Sequence, residues 1–145
     1  MSLLISIDPG NSKCGILLAD IKNRVVIEAG IVPINSFFEL LSLFNKKYVI
    51  DKVIIGNGTN SNYLVKELKK EKINNLFFVN EKGSTFRARF RYWEIWPPKY
   101  LLSFFPKGLL FPPENLDAVV ALILLEDFLN QKLTWPENVN LKVWP

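Results

Sequence analysis

The 145-residue chain contains no histidine. That absence removes imidazole acid–base catalysis, Ser-His-Asp triads and imidazole metal ligation together. Any catalysis must come from carboxylates, lysines, tyrosines or hydroxyls. A single cysteine, Cys14, excludes an intramolecular disulfide; its place in an apolar segment reads as a small buried residue. No apolar run is long enough to cross a bilayer. The apolar start also lacks the basic stretch that opens a secretory leader, so the expectation is a soluble, cytoplasmic protein without a membrane partner. Internal repeats and low-complexity segments are absent too.

What is present suffices for one folded domain. The hydrophobic fraction is 49%, enough for a core without disulfides or metals to hold it. The net charge of +4 is mildly basic and points toward a polyanionic partner. The chain opens on Leu-Leu-Ile-Ser-Ile-Asp-Pro-Gly, residues 3–10. The branched apolar run reads as a strand, and Pro9 and Gly10 end it, because proline cannot donate to a ladder and glycine permits a sharp turn. Asp8 is thereby left at the carboxyl end of a buried strand, where open α/β sheets place their ligands. Its plain alternative is an acidic turn residue.

Lys13–Asp20 and Arg24–Val32 read as two further strands joined by the short polar turn 20–23, which makes residues 3–32 an antiparallel meander. Pro33 breaks it, and Asn35 or Ser36 can cap a helix to about Lys47. A strand over Asp51–Gly56, a helix from Ser61 to about Lys72 and a short strand over Leu76–Val79 follow. Such strand–helix–strand crossovers imply parallel pairing. Residues 84–95 read as a helix. The five prolines of residues 96–113 exclude a regular element there. Asn115–Gln131 is helical and apolar nearly all round from Ala118 to Leu125, as in a helix packed on a sheet over a wide face. The fold class expected is therefore α/β, a five-stranded mixed sheet flanked by helices, with strand order third, second, first, fourth, fifth. Residues 132–145 form a tail with two tryptophans and two prolines that either packs on the body or frays.

Three acids fall at element ends on one edge of that sheet: Asp8, Glu81 just beyond the last strand, and Asp117 in the first turn of the last helix. Hard divalent cations take oxygen ligands, and a pair of such ions supports phosphodiester cleavage without a protein base. Each acid has a plain reading as well: Glu81 as a solvated loop acid, Asp117 as a helix-dipole partner. Between the last two acids, residues 82–107 hold six basic residues (Lys82, Arg87, Arg89, Arg91, Lys99, Lys107) against one acid, Glu94. Phe86, Phe90, Tyr92, Trp93, Trp96 and Tyr100 are interleaved with them. Such a segment suits phosphates and unpaired bases, or equally the wet face of a helix whose aromatics are core. For Arg87 and Arg91, one turn apart, phosphate contact is the stronger reading.

These motifs resemble the YqgF-type, ribonuclease H-like nucleases, a family described as Holliday junction resolvases or pre-16S rRNA processing nucleases. The likeness covers roughly residues 3–130. It rests on Ile7-Asp8-Pro9-Gly10 with Lys13-Cys14-Gly15, on Val53-Ile54-Ile55-Gly56 and the polar loop 57–60, on Asn80-Glu81-Lys82-Gly83-Ser84-Thr85-Phe86-Arg87-Ala88, and on Asp117–Leu129. The stretch from Arg91-Tyr92-Trp93 to Pro112-Pro113 is similar to a cyanobacterial-type branch. The resemblance implies a ribonuclease H-like domain over residues 1–131 and an enzyme that hydrolyses phosphodiesters. Asp8, Glu81 and Asp117 would be its catalytic acids, holding Mg²⁺ or Mn²⁺ as two ions. It further implies Lys13, Lys82, Ser84, Thr85, Arg87 and Arg91 as nucleic-acid contacts, Gly10 and Gly56 as turn residues, and structured RNA, branched DNA or ribosomal precursor particles as partners. The family's Asp-Glu-Arg is Asn80-Glu81-Lys82 here, which removes one negative charge and the planar fork that arginine offers a phosphate. The alternative is a non-catalytic RNA- or DNA-binding module on the same fold. A sugar-kinase or actin-type nucleotide site also opens with a similar motif, but needs a duplicated domain and far more chain.

Overall fold

A computed structural model describes residues 2–58, 61–70, 75–100, 104–106, 109–113 and 116–145. The strands are β1 (Leu3–Asp8), β2 (Lys13–Asp20), β3 (Val25–Pro33), β4 (Ile50–Gly56), β5 (Leu76–Val79) and β6 (Leu141–Val143). The helices are α1 (Phe37–Lys47), α2 (Ser61–Lys70), α3 (Ser84–Ile95) and α4 (Asp117–Leu129). The helix end expected at Lys72, the helix start at Asn115, the loop beyond Gly58 as far as Asn60, and Lys107 lie outside the described residues.

The strands form one mixed sheet in the order β5-β4-β1-β2-β3-β6. β2 runs antiparallel to β1 and β3, while β1–β4, β4–β5 and β3–β6 pair in parallel. This corrects the expected five-stranded sheet: among the described residues it has six strands, and its order is extended by the tail, whose β6 lies outside β3. Three residues between proline- and tryptophan-rich stretches carry no period that marks a strand locally. The pairing is made by long-range register, Ala29 to Leu141 through Ile31 to Val143.

Alternation along the strands divides the core. Leu3, Ile5, Ile7, Cys14, Ile16 and Val32 face α1 and α2, where they meet Phe37, Leu41, Phe44, Leu64 and Leu68. Leu4, Leu17, Ala19 and Ile54 face the other way, onto Ala118, Ala121, Leu122 and Leu125 of α4. The outer side of α4 is covered in turn by α3, with Ala88, Tyr92 and Trp93 packed on Val119, Val120, Ile123 and Leu124. A helix enclosed between a sheet and a second helix must be apolar around most of its circumference, and that accounts for the composition of α4. The Ser6 hydroxyl donates to the Ala121 carbonyl at 2.6 Å and pins α4 across β1.

The tail packs on the body. Leu133 is buried, the Thr134 carbonyl accepts from Val26 N–H at 3.0 Å, and Trp144 sits edge-on to Phe44 at 6.0 Å. Ending the chain after Gln131 would remove these contacts and expose the β3 edge. The expected result is a melting temperature lower by roughly 10 °C or more, read by circular dichroism. An unchanged melting curve would show that the tail contributes nothing to the fold.

Candidate functional site

Asp8 is the last residue of β1 and lies opposite Gly15 of β2. On its other side the parallel ladder runs through Ile7 and Ile55 toward Gly56, the end of β4. Gly56 pairs in turn with Val79, the end of β5. Three neighbouring parallel strands therefore finish along one edge, the place where such sheets present side chains to ligands. Leu4 and Ser6 face α4, so alternation directs Asp8 to the α4 side as well.

Glycine at two places lets the other acids approach. A side chain at Gly15 would run into the Asp117 backbone carbonyl, so its absence lets the first turn of α4 lie directly on β2, across from Asp8. A side chain at Gly56 or Gly58 would occupy the space of the Glu81 carboxylate, which is folded back over the end of β4. The Glu81 backbone is held by its N–H to Asn57 Oδ1 at 3.4 Å and by its carbonyl accepting from Ser84 N–H at 3.0 Å. Asn80 accepts from Lys82 N–H at 2.9 Å in a local turn. Gly83 follows in the left-handed region, φ 74°, and leads into α3.

The electrostatics show how close the acids are. Burial pushes the Asp8 carboxyl up to about 8, and the charges of Asp117 and then Glu81 add to the shift. Burial also raises Glu81, partly offset by hydrogen bonds involving Asp8 and Gly58. Asp117 is raised by burial against the opposing charge of Lys13. Glu81 Oε1 is buried with no hydrogen-bond partner. All three acids keep part of their surface in solvent.

The donor set is hard oxygen and the site carries excess negative charge, both of which fit a divalent cation of the magnesium type. The orphaned Glu81 oxygen fits as well. Even so, no group of three or more His, Cys, Asp or Glu side chains among the described residues is drawn together closely enough to cage a metal ion. The acids are electrostatic neighbours, with Asp8 and Glu81 in contact, and they do not form a closed inner shell of three carboxylates.

Stability without divalent ions should record this repulsion. Between the ordinary aspartate range near pH 4 and about pH 8, native Asp8 holds a proton that the unfolded chain has released. Stability therefore falls as pH rises through that window, and the raised values of Glu81 and Asp117 act in the same direction. At Asp20 and Glu28 burial is outweighed, by hydrogen bonds from Asn23 and from Lys142 respectively, so both lie below the ordinary range and act only at lower pH. In chelator, the melting temperature is expected to be higher at pH 5.5 than at pH 8, by roughly 5 °C. A curve that rises toward pH 8 would contradict the clustering.

The expected nucleic-acid contacts are sorted by their surroundings. Lys13, Lys82 and Thr85 are exposed. Gly10 forms the turn after β1, where a side chain would strike the Lys13 carbonyl. Ser84 is buried at the start of α3, so its expected role at the surface is corrected. Arg91 is corrected too: its guanidinium is buried, donating to both Glu126 oxygens at 3.0 and 2.9 Å and to the Leu133 carbonyl at 2.7 Å. Arg87 is held by both oxygens of Asp127 at 2.8 and 2.7 Å. Both arginines face α4, because α3 lies on that helix. Tyr92 and Trp93 belong to the core, whereas Phe86, Phe90 and Tyr100 are exposed.

Gly15, Gly58 and Glu126 were not among the expected functional residues. Glu126 did carry a signal, since an acid ending the apolar run of α4 needs a buried partner. No helix among the described residues is long and apolar enough to span a membrane. The chain matches no protein-family model and no curated protein sequence.

Proposed function

We propose that this protein is a cytoplasmic, divalent-metal-dependent nuclease of ribonuclease H-like type, hydrolysing phosphodiester bonds in structured nucleic acid. The substrate would be precursor 16S rRNA, within ribosomal precursor particles, or a Holliday junction. One observation carries the reading: Asp8, Glu81 and Asp117, far apart in the chain, meet at the carboxyl edge of the sheet, Asp117 seated on Gly15 opposite Asp8 and the Glu81 carboxylate folded over Gly56. Structural economy gives no reason to place three half-buried acids there, whereas perturbed carboxylates are common at functional sites.

Asp8 and Glu81 would hold a Mg²⁺ or Mn²⁺ ion, with Asp117 the third acid of a two-ion site. Bound there, the metal supplies charge stabilisation for the scissile phosphate and a more acidic water. The chain's own part is to keep the carboxylates fixed: β1 carries Asp8, the turn after β5 carries Glu81 over the end of β4, and α4 carries Asp117. Asp8 has to surrender its proton when the site loads. Lys13, whose charge already acts on Asp117, can orient a phosphate oxygen without taking part in bond breaking.

The test is cleavage of a panel of structured RNAs and four-way DNA junctions in Mg²⁺ or Mn²⁺. The expected result is cleavage of one class and none in chelator. No cleavage of any member by the wild type would defeat the enzymatic reading. The lack of a closed three-carboxylate cage among the described residues favours a second reading, a binding module that docks nucleic acid without cutting it. That reading predicts salt-sensitive binding unaffected by loss of the three acids.

A further inference from the structure

Phe86 and Phe90, on one face of α3, stand edge to face at 5.1 Å. They are 55% and 36% exposed, and Phe111, on the segment that leads into α4, is 78% exposed. The Arg89 guanidinium joins them, lying 5.8 Å from the Phe86 ring centre and 5.0 Å from that of Phe111. Arg89 makes no ion pair with a described residue. This separates it from Arg87 and Arg91, whose charges are consumed by α4. A groove of about 780 Å³ between α3 and α4 continues from Phe86 and Phe90.

Three exposed rings around an uncompensated guanidinium are costly to leave in water. The charge around them selects the occupant. The described acids beside the platform are each paired with a cation: Glu94 with Lys132 at 3.0 Å, Asp127 with Arg87 at 2.7 Å and Glu126 with Arg91 at 2.9 Å. The patch therefore rejects cationic partners and favours an anionic one with flat faces. Its position adds to this: α3 starts directly after the Glu81 turn, so the Phe86 edge of the platform follows that acid in the chain.

We infer that Phe86, Arg89 and Phe111 form a stacking platform for unpaired nucleobases, so that the strand delivered to the acid cluster is single-stranded. This rests on the nuclease reading for the role of the acids, but the platform is a binding surface and can be tested by itself. Aromatic rings stack on any base with little regard to sequence, and arginine adds a cation–π contribution.

The experiment measures fluorescence anisotropy of a labelled oligouridylate of about a dozen nucleotides, and of an RNA duplex of equal length, with the full chain in chelator. Cleavage is absent in chelator, so failure here leaves the hydrolytic reading standing, and failure of cleavage leaves the platform standing. Phe86→Ala and Phe111→Ala are each expected to weaken single-strand binding about tenfold while duplex binding changes little. Arg89→Lys, which keeps the charge but loses the planar stack, should weaken it by a smaller factor. Matching melting curves exclude misfolding, since both rings are exposed. Single-strand binding unchanged in the variants would overturn the inference. So would equal loss on single strand and duplex, or competition by polyglutamate as effective as by unlabelled oligouridylate. Self-association of the wild type that disappears in the variants, with binding unchanged, would assign the rings to a second copy instead.

Discussion

Asp8→Asn is expected to abolish Mg²⁺- or Mn²⁺-dependent cleavage while making the metal-free protein more stable. Asparagine has nearly the shape of aspartate, so β1 and its pairing with Gly15 should persist. The lost charge removes a ligand that a divalent ion requires; several kcal/mol of transition-state stabilisation would go with it, a rate loss of roughly a thousandfold or more. The same change removes the buried charge, and with it the burial cost and the repulsion that together lift Asp8 to about 8, and the amide can donate to the orphaned Glu81 Oε1. The melting temperature in chelator at pH 8 should therefore rise by roughly 2–4 °C for each kcal/mol recovered, and its fall with pH should flatten. Loss of activity with a lower melting temperature would instead mean that Asp8 is a structural residue.

The second large effect lies away from the acids. Arg91 and Glu126 form a buried pair, and Glu126 also accepts from the Leu133 N–H at 2.7 Å. The pair ties α3, α4 and the tail to one point. Arg91→Met alone would leave a buried carboxylate without its cation, at a cost of about 3–5 kcal/mol, and a melting temperature lower by roughly 10 °C. Glu126→Leu alone should cost a similar amount. Combining Arg91→Met with Glu126→Leu should recover most of the loss, because an apolar pair of similar volume replaces two satisfied charges. If either single variant retained wild-type stability but lost nucleic-acid binding, the phosphate role originally expected of Arg91 would be restored.

The contrast between these sites shows where sequence reading works. Element positions followed from period and punctuation: Pro9-Gly10 ends β1, Pro33 ends β3, and the cap region at Asn35 and Ser36 precedes α1. Asp8 and Asp117 were legible because each sits at an element end, and element ends share an edge in a parallel sheet. The direction of the α3 arginines was not legible. Both alternations of charge and ring fit a helix with one wet face, and only the placement of α4 decides which face that is. Arg91 is buried against Glu126 and Arg87 pairs with Asp127 at the surface, while Arg89, between them, lies half-buried against Phe111. β6 was hidden for a similar reason, since its three residues acquire strand geometry only by pairing with Ala29–Ile31. The glycines at 15 and 58 matter through what approaches them, and local sequence carries no mark of that.

Calorimetric titration with Mn²⁺ tests the central claim most directly, using the wild type beside Asp8→Asn, Glu81→Gln and Asp117→Asn. The account predicts saturable Mn²⁺ uptake by the wild type, with proton release near neutral pH as Asp8 ionises, and weakening or loss of that uptake in each variant. Absence of uptake, or uptake that all three substitutions leave unchanged, would contradict it.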